Sequence, residues 1–512
     1  MKSPEELPAH PPDLERFIFP GEHIISIIEA PDRQTDKQPS GIRELYRLAS
    51  ATAHSEVGAF GPTIASLALE SELGETPEEL RLYEAFFGRD SLRVALDLLP
   101  SHPRLMRATL IALAELQGLE YDKSREEEPG RIIHEHRKPN DPIKKRLTES
   151  RGWGWPYYGS VDSTPEFVRA IKAFCNKSPD GPAFLFHHYK DKAGSPRIMA
   201  DALTFAVNWL VQRIDSNPEG LIESSTSLPK GGIENQVWKD SWDAYFHADG
   251  TIANHDKGVA SIEVQRVTYD ALLDAAELYE TLGRREDAAK LKDYAARLKS
   301  TIFSEFWTEE KGGYFVLGTD RDDKGNLRPL KIRTSNMGHL LHSRLLESKD
   351  KETSRYRRSV ISNIFSPEML APGGVRTLAS DEARFRPFAY HNGSVWLWDT
   401  HFIAKGLRRH GYHRLSEELS GRLFHIIDST KRFPEFVRGD ESIEPTLSRR
   451  TVTVWDEINK RENCIEQPPQ EIQAWTVAAI LALKYHNATN SRSGSRPFRD
   501  DFEEKVFRSI PR

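Results

Sequence analysis

The chain has 512 residues, of which 38% are hydrophobic and 29% are charged. A chain of this size and composition can bury a large core, which excludes an intrinsically disordered protein. Its 71 basic and 77 acidic residues are interspersed and give a net charge of -6. The sequence has no block of positive charge, so neither nucleic acid nor an anionic membrane is predicted as a partner.

The two cysteines and the first residues bound the cellular setting. Cys175 and Cys464 are far apart and outside any CxxC motif, so neither a disulfide framework nor a zinc site is predicted. Segment 1–17 lacks both the apolar stretch of a signal peptide and the Arg-rich pattern of a transit peptide. No later apolar run reaches membrane-spanning length. We expect a cytoplasmic protein; the sequence does not predict its oligomeric state.

Three regions follow one another along the chain: an N-terminal arm (1–55), a main domain (56–490) and a C-terminal tail (491–512). The arm is rich in proline and charge, and its apolar patch at 17–28 is expected to pack on the main body as a short strand or helix. From residue 56, helical apolar spacing recurs between loops rich in glycine, proline and aromatic residues. The segments with this spacing are 92–116, 201–214, 261–282, 285–306, 334–346, 394–409, 413–427 and 471–485.

The pair of segments 261–282 and 285–306 predicts an αα-hairpin, since a Leu-Gly-Arg break separates two amphipathic helices. Alone, this hairpin is also typical of a tetratricopeptide-like scaffold. Solenoid repeats, however, have short and similar connections. The loops here are long, dissimilar and rich in aromatic and charged residues, which favours a scaffold that carries a site. Strand signal is confined to short hairpins such as 313–317 and 451–455.

The composition of these loops favours carbohydrate as the ligand. Aromatic planes pack on the apolar faces of pyranose rings, while carboxylates, amides and guanidinium groups bind the hydroxyls. A single tryptophan is more often a core residue, but several here accompany acidic residues. These are Trp153, Trp155, Trp238, Trp242, Trp396, Trp398 and Trp475.

Cleavage of a glycosidic bond normally requires two carboxyl groups. Asp240 and Asp243 both follow Trp238, and the neighbouring indoles could desolvate either one as an acid catalyst requires. Lys239 would oppose that effect if it pointed the same way, and the local pattern does not choose between the two aspartates. Glu435 lies on a Phe-Pro-Glu-Phe turn and is a candidate on residue type alone.

Other chemistries find little support in the sequence. His134, Glu135 and His136 lack the HxxxH or HExxH spacing that places two imidazoles on one helix face, so no metal site is predicted. The Gly231-Gly232 and Gly373-Gly374 pairs lack a phosphate-binding context. We predict no cofactor.

Eight blocks resemble bacterial amylo-α-1,6-glucosidase, or glycogen-debranching-type, glycoside hydrolases, whose catalytic domain is an (α/α)6 toroid related to trehalase. They span about 86–483 and occur in the family's order. Any one block alone would be weak evidence for the resemblance. The blocks are FFGRDSL (86–92), EEEPGRIIHEHR (126–137), PYYGSVDSTPEF (156–167), NQVWKDSWDAYFHADG (235–250), IEVQRVTYDAL (262–272), YHNGSVWLWDTHFIAKGLRRHGY (390–412), FPEF (433–436) and QEIQAWTVAAILAL (470–483).

The resemblance implies an all-α toroid of helical hairpins with long functional loops and minor β-hairpins. It implies that Asp240 of the WKDS element is the general acid and that Glu435 is the general base of an inverting α-glycosidase. It further implies a carbohydrate-binding set: Arg89, Asp90, Tyr158, Asp162, Trp238, Lys239, Trp242, Asp243, Glu263, Gln265, His391, Asn392, Trp396, Asp399, Gln473 and Trp475.

Two departures separate this sequence from the resembling family. Only about 85 residues precede the FGRDS block, where a large β-sandwich domain is common. Val237 replaces the usual glycine before Trp-Lys-Asp, and Leu397-Trp398 replaces a Pro-His pair, so branched glycogen is not assumed as the substrate. Two alternatives stay open: a phosphorylase or epimerase on the same toroid, and a non-catalytic sugar-binding or helical scaffold protein.

Overall fold

The computed structural model describes residues 41–50, 61–67, 81–228, 231–440, 450–456, 461–467, 469–490 and 496–511. Within these residues, six helical segments pack side by side and close a ring, each contacting the next and the last contacting the first. The inner segments are α2 (Gly88–Leu98), α5 (Ser163–Lys177), α7 (Ile262–Thr281), the 3-10 helix Ser335–His342, α10 (Leu397–Arg409) and α12 (Ala474–Thr489).

A second helix packs outside each inner segment and completes six hairpins. Five of these outer helices follow their inner partners in the chain, whereas the sixth, α1 (Gly41–Ser50), comes from the N-terminal side and packs on α12. The fold is therefore an (α/α)6 toroid, as predicted. The outer helices are α1 (Gly41–Ser50), α3 (Pro103–Glu115), α6 (Met199–Asp215), α8 (Arg285–Glu305), α9 (Lys351–Ile364) and α11 (His413–Thr430).

The inner and outer helices differ in which of their residues are buried. Most residues of α7 are buried, including charged ones, because it has neighbours on every side. In α8, burial is confined to one stripe spaced by three and four residues, and the opposite face meets solvent. Two further helices, α4 (Pro142–Arg151) and α13 (Asp501–Ser509), lie outside the six hairpins.

The strands are short and serve mainly to fix loops at the ends of helices. They are β1 (Ser66–Leu67), β2 (Phe86–Phe87), β3 (Glu135–His136), β4 (His188–Lys190), β5 (Pro196–Ile198), β6 (Ala260–Ser261), β7 (Trp307–Thr308), β8 (Tyr314–Phe315), β9 (Gly318–Arg321), β10 (Leu327–Leu330), β11 (Leu370–Ala371), β12 (Gly374–Val375), β13 (Val395–Trp396), β14 (Phe436–Val437), β15 (Arg450–Asp456), β16 (Arg461–Gln467) and β17 (Ile472–Gln473). Four inner helices, α2, α7, α10 and α12, begin directly after such a strand.

Two predicted helices differ in detail from those observed. The segment 92–116 is two helices, because Pro103 begins α3 and the chain turns at Leu99–His102. The segment 334–346 is 3-10 helix rather than α-helix, interrupted at the extended residue Ser343. Asp270 of α7 accepts hydrogen bonds from Ser343 Oγ at 3.1 Å and Arg344 N at 3.0 Å, which pairs the backbone at this break.

Other sequence predictions agree with the structure or lie outside the described residues. Segments 201–214, 261–282, 285–306 and 413–427 are helical at nearly the predicted bounds. The predicted hairpin at 451–455 is present as β15 paired with β16. The apolar patch at 17–28 lies outside the described residues. Among those that are described, no helix combines the length and apolar character needed to cross a membrane.

Candidate active site

One side of the toroid gathers the N-terminal ends of inner helices and the loops that precede them. Arg89 and Asp90 lie in the first turn of α2, directly after β2. The antiparallel pair β13–β14 brings the start of α10 beside the turn that carries Glu435. The loops therefore deliver polar side chains to a region whose positions are set by the helix ring.

The acid loop, residues 235–244, carries both candidate acid residues. Asn235 donates from its amide to the carbonyl oxygens of Ser241 at 2.8 Å and Trp242 at 3.3 Å, which closes the loop on itself. Val161 N donates to Gln236 O at 2.8 Å and ties the loop to the segment before α5. Within this frame, Asp240 keeps 31% of its side-chain area exposed.

Lys239 and Asp240 extend in different directions. Lys239 is fully buried and donates from Nζ to Thr377 O at 3.1 Å. Burial lowers its pKa to about 8, although the carboxylates of Glu263, Asp399 and Asp243 act in the opposite direction. Because Lys239 points into the protein, it lies among buried acceptors and not in the exposed space that Asp240 faces.

Glu435 is held by hydrogen bonds at both carboxylate oxygens. Tyr390 donates from its hydroxyl to Oε1 at 2.5 Å, and the backbone N–H of Gln470 donates to Oε2 at 3.0 Å. Glu435 N donates in return to Gln470 O at 2.9 Å, and Thr476 Oγ1 donates to Pro434 O at 2.8 Å. Glu435 is only 1% exposed, so its carboxylate has a fixed orientation.

Arg89, Asp90 and Asp162 form a buried charged group. Arg89 Nη1 donates to Asp162 Oδ2 at 3.3 Å, and Ser160 Oγ donates to Asp162 Oδ1 at 2.6 Å. Burial raises the pKa of Asp90 to about 7; Arg89 opposes this, while the carboxylates of Asp240, Asp162 and Glu435 contribute to it. Asp90 therefore lies within electrostatic reach of both candidate catalytic carboxyl groups.

Two polar atoms of this group form no hydrogen bond with any residue that the structure describes. They are Arg89 Nε and Asp90 Oδ2, although the two lie 3.5 Å apart as an ion pair. Buried polar atoms are normally hydrogen-bonded, and a ligand or water supplies the missing partner when the protein does not. Hydroxyl groups, which both donate and accept, suit a guanidinium and a carboxyl side by side.

Four indole rings pack together beside the loop that carries Asp240. Trp238 of the acid loop meets Trp398 edge-on at 5.0 Å and Trp396 at 5.9 Å between ring centroids. Trp398 stacks on Trp475 at 5.1 Å, and His391 stacks on Trp396 at 5.3 Å. All four tryptophans are almost wholly buried, so they form a rigid wall.

Several other predicted ligand-binding residues have hydrogen bonds that hold the protein itself. Gln265 is saturated by the backbone of Ile222 and Ser261. Glu263 accepts from Tyr245 Oη at 3.1 Å and Asn336 Nδ2 at 2.6 Å. Tyr158 donates to Leu116 O at 2.7 Å within the helical core.

The remaining predicted residues lie at the loop contacts. His391 meets the acid loop, and Asn392 donates from Nδ2 to Asp243 O at 2.9 Å. Asp399 accepts from His339 Nε2 at 2.5 Å inside the ring. Gln473 N donates to Phe433 O at 2.9 Å, at the base of the Glu435 turn. Trp242 begins a 3-10 turn, Trp242–Ala244, which also carries Asp243.

Sequence reasoning missed two groups of residues near this site. Tyr390, which bonds Glu435, adjoins the predicted His391, and that position in the YHN element was its only signal. Arg93 and Arg266 lie near the buried Glu166, at 2.6 Å and 3.9 Å between charged atoms. Charged residues on helix faces usually meet solvent, so their burial follows from the closure of the ring.

A family model described as mannosylglycerate hydrolase MGH1-like glycoside hydrolase domain matches residues 184–445, half of the chain. The matched region contains both Asp240 and Glu435. Fold and family match together define the protein as a glycoside hydrolase built on an (α/α)6 toroid. The chain belongs to the family of MGH1-like glycoside hydrolase domains.

Solved structures agree on the fold. A GH63 mannosylglycerate hydrolase from Thermus thermophilus, in complex with Tris and D-glycerate, is 15% identical with a TM-score of 0.54, over 86% of this chain and 99% of that one. A bacterial glucoamylase complexed with acarbose is 13% identical with a TM-score of 0.52, over 88% of this chain and 55% of that one. No curated protein sequence matches the chain.

Proposed function

We propose that the protein hydrolyses an α-linked glycoside with inversion at the anomeric carbon, with Asp240 as general acid and Glu435 as general base. Asp240 gives its proton to the glycosidic oxygen as that oxygen leaves. Glu435 takes a proton from a water molecule, whose oxygen bonds to the anomeric carbon from the opposite face. Inverting enzymes place the two carboxyl groups roughly 6.5 to 9.5 Å apart so that this water fits.

The observation that carries the proposal is the position of Asp90. Its carboxyl group interacts electrostatically with both Asp240 and Glu435, which belong to loops far apart in the sequence. Asp240 and Glu435 therefore both lie within electrostatic reach of the buried Asp90, which is ion-paired with Arg89. Arg89 Nε and Asp90 Oδ2, which have no hydrogen-bond partner among the described residues, suit the hydroxyls of the sugar ring at the cleavage point.

Contacts within the acid loop favour Asp240 over Asp243 as the acid. Asp240 Oδ1 lies 3.9 Å from His391 Nδ1. Burial lowers the pKa of Arg89, but Asp162, Asp90 and, to a smaller extent, Asp240 raise it, so Asp240 is close to the proposed sugar site. Asp243 is turned towards Arg384, 4.0 Å away, and its backbone is held by Asn392.

Two substrates are proposed for the same reaction. The sequence resemblance favours an α-glucosidic oligosaccharide, as in amylo-α-1,6-glucosidases. The description of the matched family favours mannosylglycerate, whose leaving group is a small acid. The phosphorylase and epimerase alternatives lose weight because the family is one of glycoside hydrolases.

Sugar release tests both the reaction and the residues. Wild-type protein is incubated with isomaltose, panose, an α-1,6-branched dextrin, mannosylglycerate and glucosylglycerate, and free sugar is quantified. Asp240→Asn and Glu435→Gln are each expected to lower kcat/KM about a thousandfold or more, since each removes a proton-transfer group. Asp243→Asn is the matched control and is expected to lose much less. Equal loss in Asp240→Asn and Asp243→Asn would leave the acid unassigned, and full activity of Asp240→Asn would refute its role.

A further inference from the structure

Three consecutive residues, Tyr390, His391 and Asn392, lie between the acid loop and the turn of the base. All three are buried. They form the start of the segment that leads into β13, and β13 pairs with β14 directly after Glu435. This segment therefore contacts both halves of the proposed catalytic pair.

Tyr390 serves the base side. Its hydroxyl donates to Glu435 Oε1 at 2.5 Å. Its ring packs edge-on against Phe436 at 5.5 Å and Trp396 at 4.9 Å between centroids, which fixes the hydroxyl in space. A phenol that donates to a carboxylate stabilises the ionised form, which is the form a general base needs.

His391 and Asn392 serve the acid side. The backbone N–H of Ser241 donates to His391 Nδ1 at 3.3 Å, and Ser241 Oγ lies 2.8 Å from the same atom. Asn392 donates from Nδ2 to Asp243 O at 2.9 Å. The two contacts fix the backbone on either side of Trp242, immediately after Asp240.

The segment itself is held at several points. Trp396 Nε1 donates to Tyr390 O at 2.8 Å, and Gly393 N donates to Thr377 Oγ1 at 3.0 Å. Gly393 has a φ of +143°, and a Cβ there would lie 2.3 Å from Arg386 O, so only glycine fits. Lys239 reaches the same Thr377 from the acid loop.

We propose that Tyr390, His391 and Asn392 are positioning residues that set the distance and relative orientation of Asp240 and Glu435. Tyr390 positions the base through its carboxylate, and His391 and Asn392 position the acid through its backbone. The proposal rests on the proposed function of Asp240 and Glu435. A single rigid segment that touches both loops fixes their relation more closely than two independent supports would, because productive geometry tolerates only about 0.5 Å of error.

The effect of each residue is separable in a pH profile. The acidic limb of kcat/KM reports ionisation of the base, and the alkaline limb reports loss of the proton of the acid. Arg89, Asp90 and Asp162 also interact with this region, from α2 and from the start of α5. Since these charges stay in place in the variants, a shift relative to wild type reports the substituted residue.

The experiment compares Tyr390→Phe and His391→Gln with wild type on the best substrate. Tyr390→Phe is expected to lower kcat about tenfold with little change in KM, and to move the acidic limb to higher pH because the ionised base loses a hydrogen bond. His391→Gln is expected to change the alkaline limb and leave the acidic limb in place. Melting temperatures confirm that both variants are folded.

Matched controls exist elsewhere in the molecule. Tyr356→Phe removes another tyrosine–carboxylate bond, to Glu352 at 2.8 Å, on an outer helix. His102→Gln removes another buried His–Ser contact, to Ser101 at 2.9 Å. Both control variants are expected to keep the acidic and alkaline limbs of the wild-type pH profile of kcat/KM, even if their melting temperatures change.

The outcomes separate this inference from the function beneath it. If Glu435→Gln is inactive but both Tyr390→Phe and His391→Gln keep the wild-type pH profile of kcat/KM and the wild-type kcat, the inference is overturned. Movement of the same limb by both variants would also overturn it, since the residues would then not divide between acid and base. An active Glu435→Gln would instead refute the proposed function itself.

Discussion

The acid loop and the base turn are supported in different ways. Glu435 is 1% exposed, and both of its carboxylate oxygens accept hydrogen bonds from the protein. The Asp240 side chain is 31% exposed, and the hydrogen bonds that hold its loop act on the backbone and on neighbouring residues such as Ser241. The proposed base is thus fixed at its carboxylate and shielded from solvent, whereas the proposed acid lies on a fixed loop and keeps part of its side chain exposed.

This difference matches the two chemical tasks. A base that activates water must stay ionised and aimed at one point, and hydrogen bonds to both oxygens favour the ionised form. A general acid gives its proton to the leaving oxygen and then takes a new proton from solvent, which requires that solvent can reach its carboxyl group. The larger exposure of Asp240 provides that access.

The largest expected effect comes from varying the leaving group. Asp240→Asn is expected to lose about a thousandfold in kcat/KM on a natural glycoside, but only about tenfold on the α-glycosyl fluoride of the same sugar, because fluoride departs without a proton. Glu435→Gln is expected to lose about a thousandfold on both substrates, since water must be activated in either case. Initial rates of sugar and fluoride release measure this. Similar losses of Asp240→Asn on the two substrates would remove the acid role.

A smaller effect is expected from Asp90, whose carboxyl group interacts electrostatically with both Asp240 and Glu435. Asp90→Asn keeps the shape of the side chain but removes its charge. Its hydrogen bond to a sugar hydroxyl is then weaker in the transition state, so kcat/KM is expected to fall about a hundredfold. Arg344→Gln, which removes an ion pair with Asp274 of α7, serves as a control for lost charge. Wild-type kcat/KM in Asp90→Asn would place the sugar elsewhere.

Asp90 also predicts a pH dependence of stability. Its pKa is raised from 3.8 to about 7 in the folded protein, so the folded state binds more protons than the unfolded state between those values. Its contribution to stability is therefore fully present below about pH 4 and is lost as the pH rises towards 7. Asp90→Asn should melt at a higher temperature than wild type at pH 8, with a smaller difference or the reverse at pH 5. An equal difference at both pH values would contradict the shift.

The smallest effect on catalysis is expected at Lys239, which anchors the acid loop by its hydrogen bond to Thr377 O and is therefore expected to act mainly on stability. Lys239→Met keeps the length of the side chain but removes the donor to Thr377 O and a cation that interacts with Glu263 and Asp399, at a cost of roughly 3 kcal/mol in the free energy of unfolding. Lys331→Met, which removes a half-exposed ion pair with Glu310, should cost at most about 1 kcal/mol. Urea unfolding compares the two, and equal costs would refute a supporting role for Lys239.

Much of the helical frame was predictable from apolar spacing. The hairpin at 261–306 was predicted within one or two residues, because the inner helix keeps an apolar face and Leu282-Gly283-Arg284 ends it clearly. The closure of the ring by Gly41–Ser50 was not predictable, since its partner α12 lies more than 400 residues later in the sequence. Helix Ser163–Lys177 was missed because it begins inside a loop pattern rich in polar residues.

The candidate site was predictable in its residue types but not in its contacts. The clustering of indoles and carboxyl groups in loops made Trp238, Asp240 and Glu435 candidates, and the family resemblance implied the acid role of Asp240 and the base role of Glu435. The direction of Lys239 could not be derived, because its acceptor, the carbonyl of Thr377, is a backbone group 138 residues away. The same holds for the Gln470 N–H that bonds Glu435, since every residue but proline has such a group.

The stereochemistry of the product tests the central claim most directly. Proton NMR spectra taken in the first minutes of hydrolysis of an α-glycoside distinguish the anomer released by the enzyme from the later equilibrium mixture. Attack by water that Glu435 activates, opposite the bond that Asp240 cleaves, predicts the β-anomer as the first product. The α-anomer would mean retention through a covalent intermediate and would contradict the assignment of Glu435 as a base.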